Sequence, residues 1–96
     1  MARMDRLSTY CTTIATAGDL TCITYHKTQI VAFDRLYVTL RTGGWDSITT
    51  RRKMNQAANQ FGLGYRVHRD KGTTYVTLPN GRSVPLGDEL TINRAA

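Results

Sequence analysis

The chain has little that would staple, kink or anchor it. Its 96 residues include two cysteines, two prolines and one tryptophan. Two cysteines, Cys11 and Cys22, are too few for the disulfide framework of a small secreted domain. Their spacing suits adjacent strands of a hairpin turned at Ala17-Gly18-Asp19, yet Met1 to Leu7 is charged, with no apolar stretch behind it. A chain without a signal peptide, carrying reduced thiols in a cytoplasmic location, is therefore the expectation. The longest purely apolar run is Ile30-Val31-Ala32-Phe33, against about 20 residues for a bilayer-crossing helix. The length excludes a two-domain enzyme, a large barrel or a solenoid of several repeats. One domain over residues 1–96 is predicted, with residues 1–8 and 93–96 as flexible ends.

Recognisable chemistry is equally scarce. There is no P-loop, no G-x-S-x-G and no Gly-rich dinucleotide signature. Cys11, Cys22, His26 and His68 add up to a Cys2His2 set, but the gap between the cysteines is not the short spacing of a structural zinc site. The acids Asp34, Asp46, Asp70, Asp88 and Glu89 are scattered, mostly at turns and caps, and His68 has no nucleophile beside it. These absences predict a protein that is not an enzyme and takes no metal or cofactor.

Acidic residues are also few: seven Asp+Glu against 13 Lys+Arg, a formal charge of +6. The excess is localised. Residues 1–46 nearly balance, with Arg3, Arg6, Lys27, Arg35 and Arg41 against Asp5, Asp19, Asp34 and Asp46. Residues 47–86 hold Arg51, Arg52, Lys53, Arg66, Arg69, Lys71 and Arg82 against Asp70 alone. Such asymmetry suits a polyanion partner; a solvated, solubilising face is the plainer alternative.

Threonine, by contrast, is abundant, and threonine favours strands. Tyr10 to Ala15 and Leu20 to Tyr25 read as two strands, and Thr28 to Phe33 and Leu36 to Arg41 as two more. In the last of these, Leu36, Val38 and Leu40 alternate with Tyr37, Thr39 and Arg41, the period of a half-buried strand. The period then changes. Met54, Ala57, Ala58 and Phe61 form an apolar stripe at helical spacing, with Ser47, Thr49 and Thr50 as N-cap candidates and Gly62 at the left-handed C-terminal position. A helix over about 48–61 follows. Tyr65 to Arg69 and Thr73 to Leu78 make a hairpin at Asp70-Lys71-Gly72. With Val67 opposite Val76, Tyr65, Val67, Val76 and Leu78 face inward, and Arg66, His68, Tyr75 and Thr77 face out; a one-residue slip would break this grouping. A type I turn at Pro79-Asn80-Gly81 returns into Arg82 to Leu86, and Leu90 to Ile92 adds a last edge strand. The class is α+β, an antiparallel sheet with a single substantial helix, in the order β-β-β-β-α-β-β-β.

The sharpest anomaly is Arg51-Arg52-Lys53 at the beginning of the helix, where the backbone dipole disfavours cations by about 0.3–1 kcal/mol each. Three cations there, with the unpaired N–H groups, suit an anion. Asn55, Gln56 and Asn59 continue a polar helix face able to lie along a groove or strand; such a face is also common on a merely solvated helix. Arg66, His68, Arg69 and Lys71, with Tyr75 interleaved, extend the candidate nucleic-acid contact onto the hairpin. Trp45, after Gly43-Gly44, reads as a core anchor at the strand-to-helix junction, with partner contact as the alternative.

Phe33-Asp34, Val38-Thr39-Leu40, Thr42-Gly43-Gly44-Trp45, Thr49-Thr50, Met54-Asn55-Gln56 and Gln60-Phe61-Gly62-Leu63-Gly64-Tyr65 carry a resemblance. Over about residues 28–86 the chain resembles a set of small, functionally uncharacterised proteins encoded by tailed bacteriophages. The resemblance implies an accessory phage protein in the host cell cytoplasm and brings no catalytic residues with it. Two functional readings stand. The first is a small basic binding protein that contacts nucleic acid, DNA or RNA. The alternative is an inhibitor or modulator of a host protein, such as a defence nuclease or nucleic-acid enzyme. A small structural part of the virion is the bland third. A homodimer through an edge strand fits any of these.

Overall fold

The computed structural model describes residues 12–43 and 47–94. Four strands, β1 (Thr12–Ala17), β2 (Leu20–Tyr25), β3 (Thr28–Phe33) and β4 (Tyr37–Arg41), precede helix α1 (Ile48–Phe61). Four follow it: β5 (Arg66–Asp70), β6 (Thr73–Thr77), β7 (Ser83–Pro85) and β8 (Glu89–Asn93). The α+β class and the single helix are as the sequence predicts. The strands form two antiparallel sheets rather than one, a five-stranded sheet ordered β1-β2-β3-β4-β8 and a three-stranded sheet ordered β5-β6-β7.

The last strand accounts for the difference. β8 does not extend the hairpin sheet but crosses back to β4, with Ile92 opposite Val38 and Leu90 opposite Leu40. Both strands alternate with the same period over one buried face, which fixes their register. Arg41 and Glu89, opposite each other, close the pair with a 2.8 Å ion pair. Asn93 therefore lies within a strand, and Arg94 is held through its N–H to the Leu36 carbonyl and its guanidinium to the Asp34 carbonyl. At the β3–β4 turn, one Asp34 carboxylate oxygen accepts the N–H groups of Tyr37 and Leu36, both at 2.8 Å. These bonds hold its pKa below the ordinary carboxylate value.

Cross-strand rows build the core. Ile23, Val31, Leu40 and Leu90 form one row and Phe33, Val38 and Ile92 the next. Between Ile23 and Thr24 the β2–β3 register shifts, so that Ile30 is the additional residue on β3. The bulge explains why consecutive residues, Ile30 and Val31, are both buried. Gly43, at φ 63°, lies against Thr28; a Cβ there would stand 2.7 Å from the threonine methyl. Helix α1 packs against β3 and β5, one strand of each sheet. Met54, Ala57 and Ala58 are buried, and Phe61 meets the Phe33 ring at 5.0 Å between centroids. Gly62 ends the helix in the left-handed conformation, and the Leu63 N–H bonds the Ala58 carbonyl.

Tyr65 enters β5 from beneath the helix. Its hydroxyl donates to the Met54 carbonyl at 2.7 Å, and burial pushes its pKa well above the ordinary 10.0. The folded state therefore retains a proton that the unfolded chain releases above about pH 10. Stability from this group is complete below that pH and falls as pH rises through the alkaline range. Chemical denaturation between pH 8 and 11.5 is expected to show this loss, and Tyr65→Phe to flatten it at a cost of about 1 kcal/mol at neutral pH.

Candidate nucleic-acid interface

Ser47 caps α1 in an extended conformation, its Oγ accepting the Thr50 N–H at 3.1 Å. No acid occupies the first turn. The three cations that follow diverge. Arg52 is exposed and Arg51 half-buried, whereas Lys53 is only 2 % exposed. Its ammonium lies 5.1 Å from the centre of the Tyr25 ring, a cation–π contact. The expectation of three phosphate-holding cations is corrected at Lys53, which belongs to the interior. The cause is the packing of α1 on a strand from each sheet, which covers a wider arc than the apolar stripe marks.

The same arc takes the polar helix face. Gln56 is buried, and only Asn59 remains exposed among the three predicted readers. Asn55 uses its whole amide on β5: its Nδ2 donates to the Val67 carbonyl at 2.8 Å and its Oδ1 accepts the Val67 N–H at 2.7 Å. An asparagine side chain thus stands in for a missing strand at the edge of the small sheet. A polar residue at this helical position reads in sequence as surface; no local signal reveals an amide bonded to the strand that follows the helix.

The hairpin is as expected in register. Val67 lies opposite Val76, His68 opposite Tyr75 and Arg66 opposite Thr77, and β7 continues the rows with Ser83 beside Thr77 and Pro85 beside Tyr75. The outer face therefore carries Arg66, His68, Tyr75, Thr77, Ser83 and Pro85. The His68 and Tyr75 rings stack at 6.0 Å with 24° between their planes. The His68 Nε2 is 3.0 Å from the Thr77 Oγ1, which is in turn 3.0 Å from the Ser83 Oγ. This chain of hydroxyls holds the imidazole against the sheet and leaves the tyrosine ring beside it half-exposed.

Alternation puts Arg69 on the opposite face of β5, its guanidinium 3.4 Å from the Gly72 carbonyl. Lys71 sits at the hairpin tip with φ 50°. A cation outside the sequence-predicted set stands near one end of the sheet. Arg82 is exposed in the turn before Ser83, its N–H bonded to Asn80 Oδ1 and its carbonyl to the Leu78 N–H. That turn sets Arg82 at the same end of the sheet as Arg66. The Pro79-Asn80-Gly81 signature beside it is the available clue.

Ion pairing divides along the same line. Arg35 pairs with Asp19 at 3.2 Å and Arg41 with Glu89 at 2.8 Å, both within the five-stranded sheet and its turns. Among the described residues no ion pair engages Arg52, Arg66, Lys71 or Arg82. Trp45 and Cys11 lie outside the described residues. Cys22 is a free thiol whose cross-strand neighbours are Ala15 and Ala32. Among the described residues no group of three or more His, Cys, Asp or Glu is placed to hold a metal, and no helix is long and apolar enough to cross a membrane.

A protein-family model described as Kyanoviridae Gp96 protein matches residues 1–92. The match takes in the segment before Thr28, which the resemblance seen in the sequence leaves uncovered. No curated protein and no solved structure matches the chain.

Because Asn55 pairs both Val67 backbone groups, Asn55→Ala leaves a donor and an acceptor unsatisfied. The expected loss is about 2–4 kcal/mol, seen as a lower thermal midpoint with faster amide exchange at Val67.

Proposed function

The chain belongs to the Kyanoviridae Gp96 protein family of tailed bacteriophages, and from that premise we propose that it is a small non-enzymatic protein that binds single-stranded nucleic acid on the outer face of its three-stranded sheet. The observation that carries the reading is the Tyr75–His68 stack, set on an exposed sheet face between cations that no acid of the described chain neutralises. Every base has a π-face, so a half-exposed tyrosine braced by an imidazole stacks an unpaired base without selecting its identity. Arg66 and Arg82 stand at one end of this platform and Lys71 at the other. Along the strands these ends are roughly 15 Å apart, room for about two or three nucleotides.

Arg52 extends the basic surface onto the helix. It lies one turn before Asn55, on the side of α1 that Asn55 fastens to β5. Arg69, on the other face of β5, and Lys53, in the interior, are left out of the contact. Stacking and phosphate neutralisation are separable contributions, and they respond differently to salt.

Fluorescence anisotropy with single-stranded DNA, single-stranded RNA and duplex DNA over a salt series tests the reading. Single strands are expected to bind more tightly than the duplex. Tyr75→Ala should weaken them by about 1–3 kcal/mol at every salt concentration, roughly 5- to 150-fold, with Tyr75→Phe near wild type. Arg66→Ala combined with Arg82→Ala should instead make the slope of log affinity against log salt shallower by about 1.4. Absence of binding to all three nucleic acids at about 50 mM salt overturns the reading and leaves a host protein as the partner to seek.

A further inference from the structure

The hydroxyl chain on the outer face of the small sheet has a direction that one proton decides. Two rows cross the sheet side by side: Arg66, Thr77 and Ser83 in one, His68, Tyr75 and Pro85 in the other. His68 Nε2 bridges them, 3.0 Å from Thr77 Oγ1, and Thr77 Oγ1 is 3.0 Å from Ser83 Oγ within its own row. His68 and Thr77 are half-buried, and Ser83, where the chain ends, is exposed. A hydroxyl both donates and accepts, so the chain can run either way while the ring is neutral. In one tautomer Nε2 accepts from Thr77, and Thr77 accepts from Ser83. In the protonated ring both nitrogens carry hydrogen, and Nε2 is left only the role of donor. Thr77 then accepts from His68 and donates to Ser83, which frees the Ser83 O–H to donate to a bound group.

The charges around the ring give that proton a use. On β5, Arg66 and Asp70 stand two residues to either side of His68 on the same face. Asp70 pairs with Thr73, at the end of the strand away from Thr77, and Lys71 follows it at the hairpin tip. β6 presents Tyr75 and Thr77, β7 presents Ser83 and Pro85, and the turn before β7 holds the exposed Arg82. Helix α1 reaches β5 through Asn55, with Arg52 one turn before it. Tyr75 stacks on the ring at 6.0 Å, and an imidazolium keeps that place as a cation beside a π face. A protonated His68 thus adds a charge and a directed O–H next to Arg66, in a row that contains no acid. A phosphodiester oxygen uses both, since it accepts the hydrogen bond and is attracted by the charge.

We propose that the outer face of the small sheet binds nucleic acid together with a proton. His68 takes the proton from solvent, onto whichever ring nitrogen lacks one, and Thr77 and Ser83 carry its effect to a phosphate held by Arg66. This coupling rests on the nucleic-acid reading above and adds its regulation. Linkage makes it reciprocal: the factor by which protonation raises affinity is the factor by which bound nucleic acid favours protonation of His68. Histidine suits the task because its charge changes close to neutral pH. Binding therefore tightens as pH falls.

Anisotropy at constant salt with an oligothymidylate tests the coupling, since its bases and phosphodiesters do not titrate between about pH 5 and 8, the range of histidine. Affinity is expected to rise at least about fivefold from the upper to the lower end of that range. The chain has two histidines. His26→Asn should leave the pH dependence as it is, and His68→Gln should abolish it. Ser83→Ala should weaken binding more at the acid end than at the alkaline end, because the directed O–H is lost. Circular dichroism at both ends establishes that the variants are folded. In wild type, NMR of the His68 ring protons gives an independent reading: the oligonucleotide should move their titration midpoint upward by the logarithm of the same factor. Absence of binding at every pH overturns the nucleic-acid reading and the coupling with it. An affinity that does not change with pH, a pH dependence that survives His68→Gln, a midpoint that does not move, or an equal loss for Ser83→Ala at both ends overturns the coupling and leaves the stacking platform in place.

Discussion

Two adjacent helix residues position the whole of the small sheet. Met54 is fully buried, and its carbonyl accepts the Tyr65 hydroxyl. Asn55, the next residue, pairs its amide with both backbone groups of Val67. The start of β5 is thus tied to the middle of α1 at two points, by one aromatic and one amide, each bonded to main chain. Every exposed group on the outer face, from Arg66 to Tyr75, is carried by strands whose orientation follows from that attachment. The tie is polar because main-chain groups at a sheet edge must be paired, and a hydrophobic contact cannot pair them. The apolar contribution comes from Val67, Val76 and Leu86 beneath the sheet, where burial is nearly complete.

Position within α1 is therefore a poor guide to exposure. The helix touches a strand of each sheet, so its buried arc reaches from Thr50 and Lys53 to Gln56, Ala57 and Ala58. Lys53 is accommodated by laying its ammonium over the Tyr25 ring. Of the three cations near the start of the helix, Arg52 is the exposed one, with Arg51 half-buried. An anion site shared by all three is not the geometry present. On the hairpin, by contrast, the aromatic stack and Arg66 share the outer face of the small sheet.

How much of this is legible in the residues depends on range. The helix limits 48–61, the β2 and β3 limits and the Val67–Val76 register follow from short-range signals: the Ser47 cap, Gly62, the Asp70-Lys71-Gly72 turn and period-2 alternation. Arg66, His68, Tyr75 and Thr77 come out on one face because register and alternation alone decide that. The separation into two sheets is not legible, since it rests on β8 choosing β4 across the whole of the intervening helix and small sheet. Lys53, Asn55 and Gln56 read as surface for the same reason. Their types are typical of a solvated helix face, and only tertiary contact, of Lys53 with Tyr25 of β2 and of Asn55 with β5, says otherwise. Arg82 escapes a reading by pattern because it lies in a turn, where a cation carries no periodic signal.

Net charge is best weighed through its pairing. Solubility needs an excess of one sign, but it does not require that the excess be segregated. In this chain the five-stranded sheet neutralises its own arginines, Arg35 with Asp19 and Arg41 with Glu89. On the helix and small sheet, the acids needed for the same purpose are missing from the sequence, where Asp70 is alone between residues 47 and 86. Repulsion among such cations is a standing cost that salt screens only in part. A polyanion laid across Arg66, Arg82 and Lys71 would remove that cost, and the tyrosine between them adds a contribution that mere solubility has no use for. The proposed function thus rests on a physical asymmetry among the described residues, between a sheet that pairs Arg35 and Arg41 with acids and a half in which Arg52, Arg66, Lys71 and Arg82 enter no ion pair.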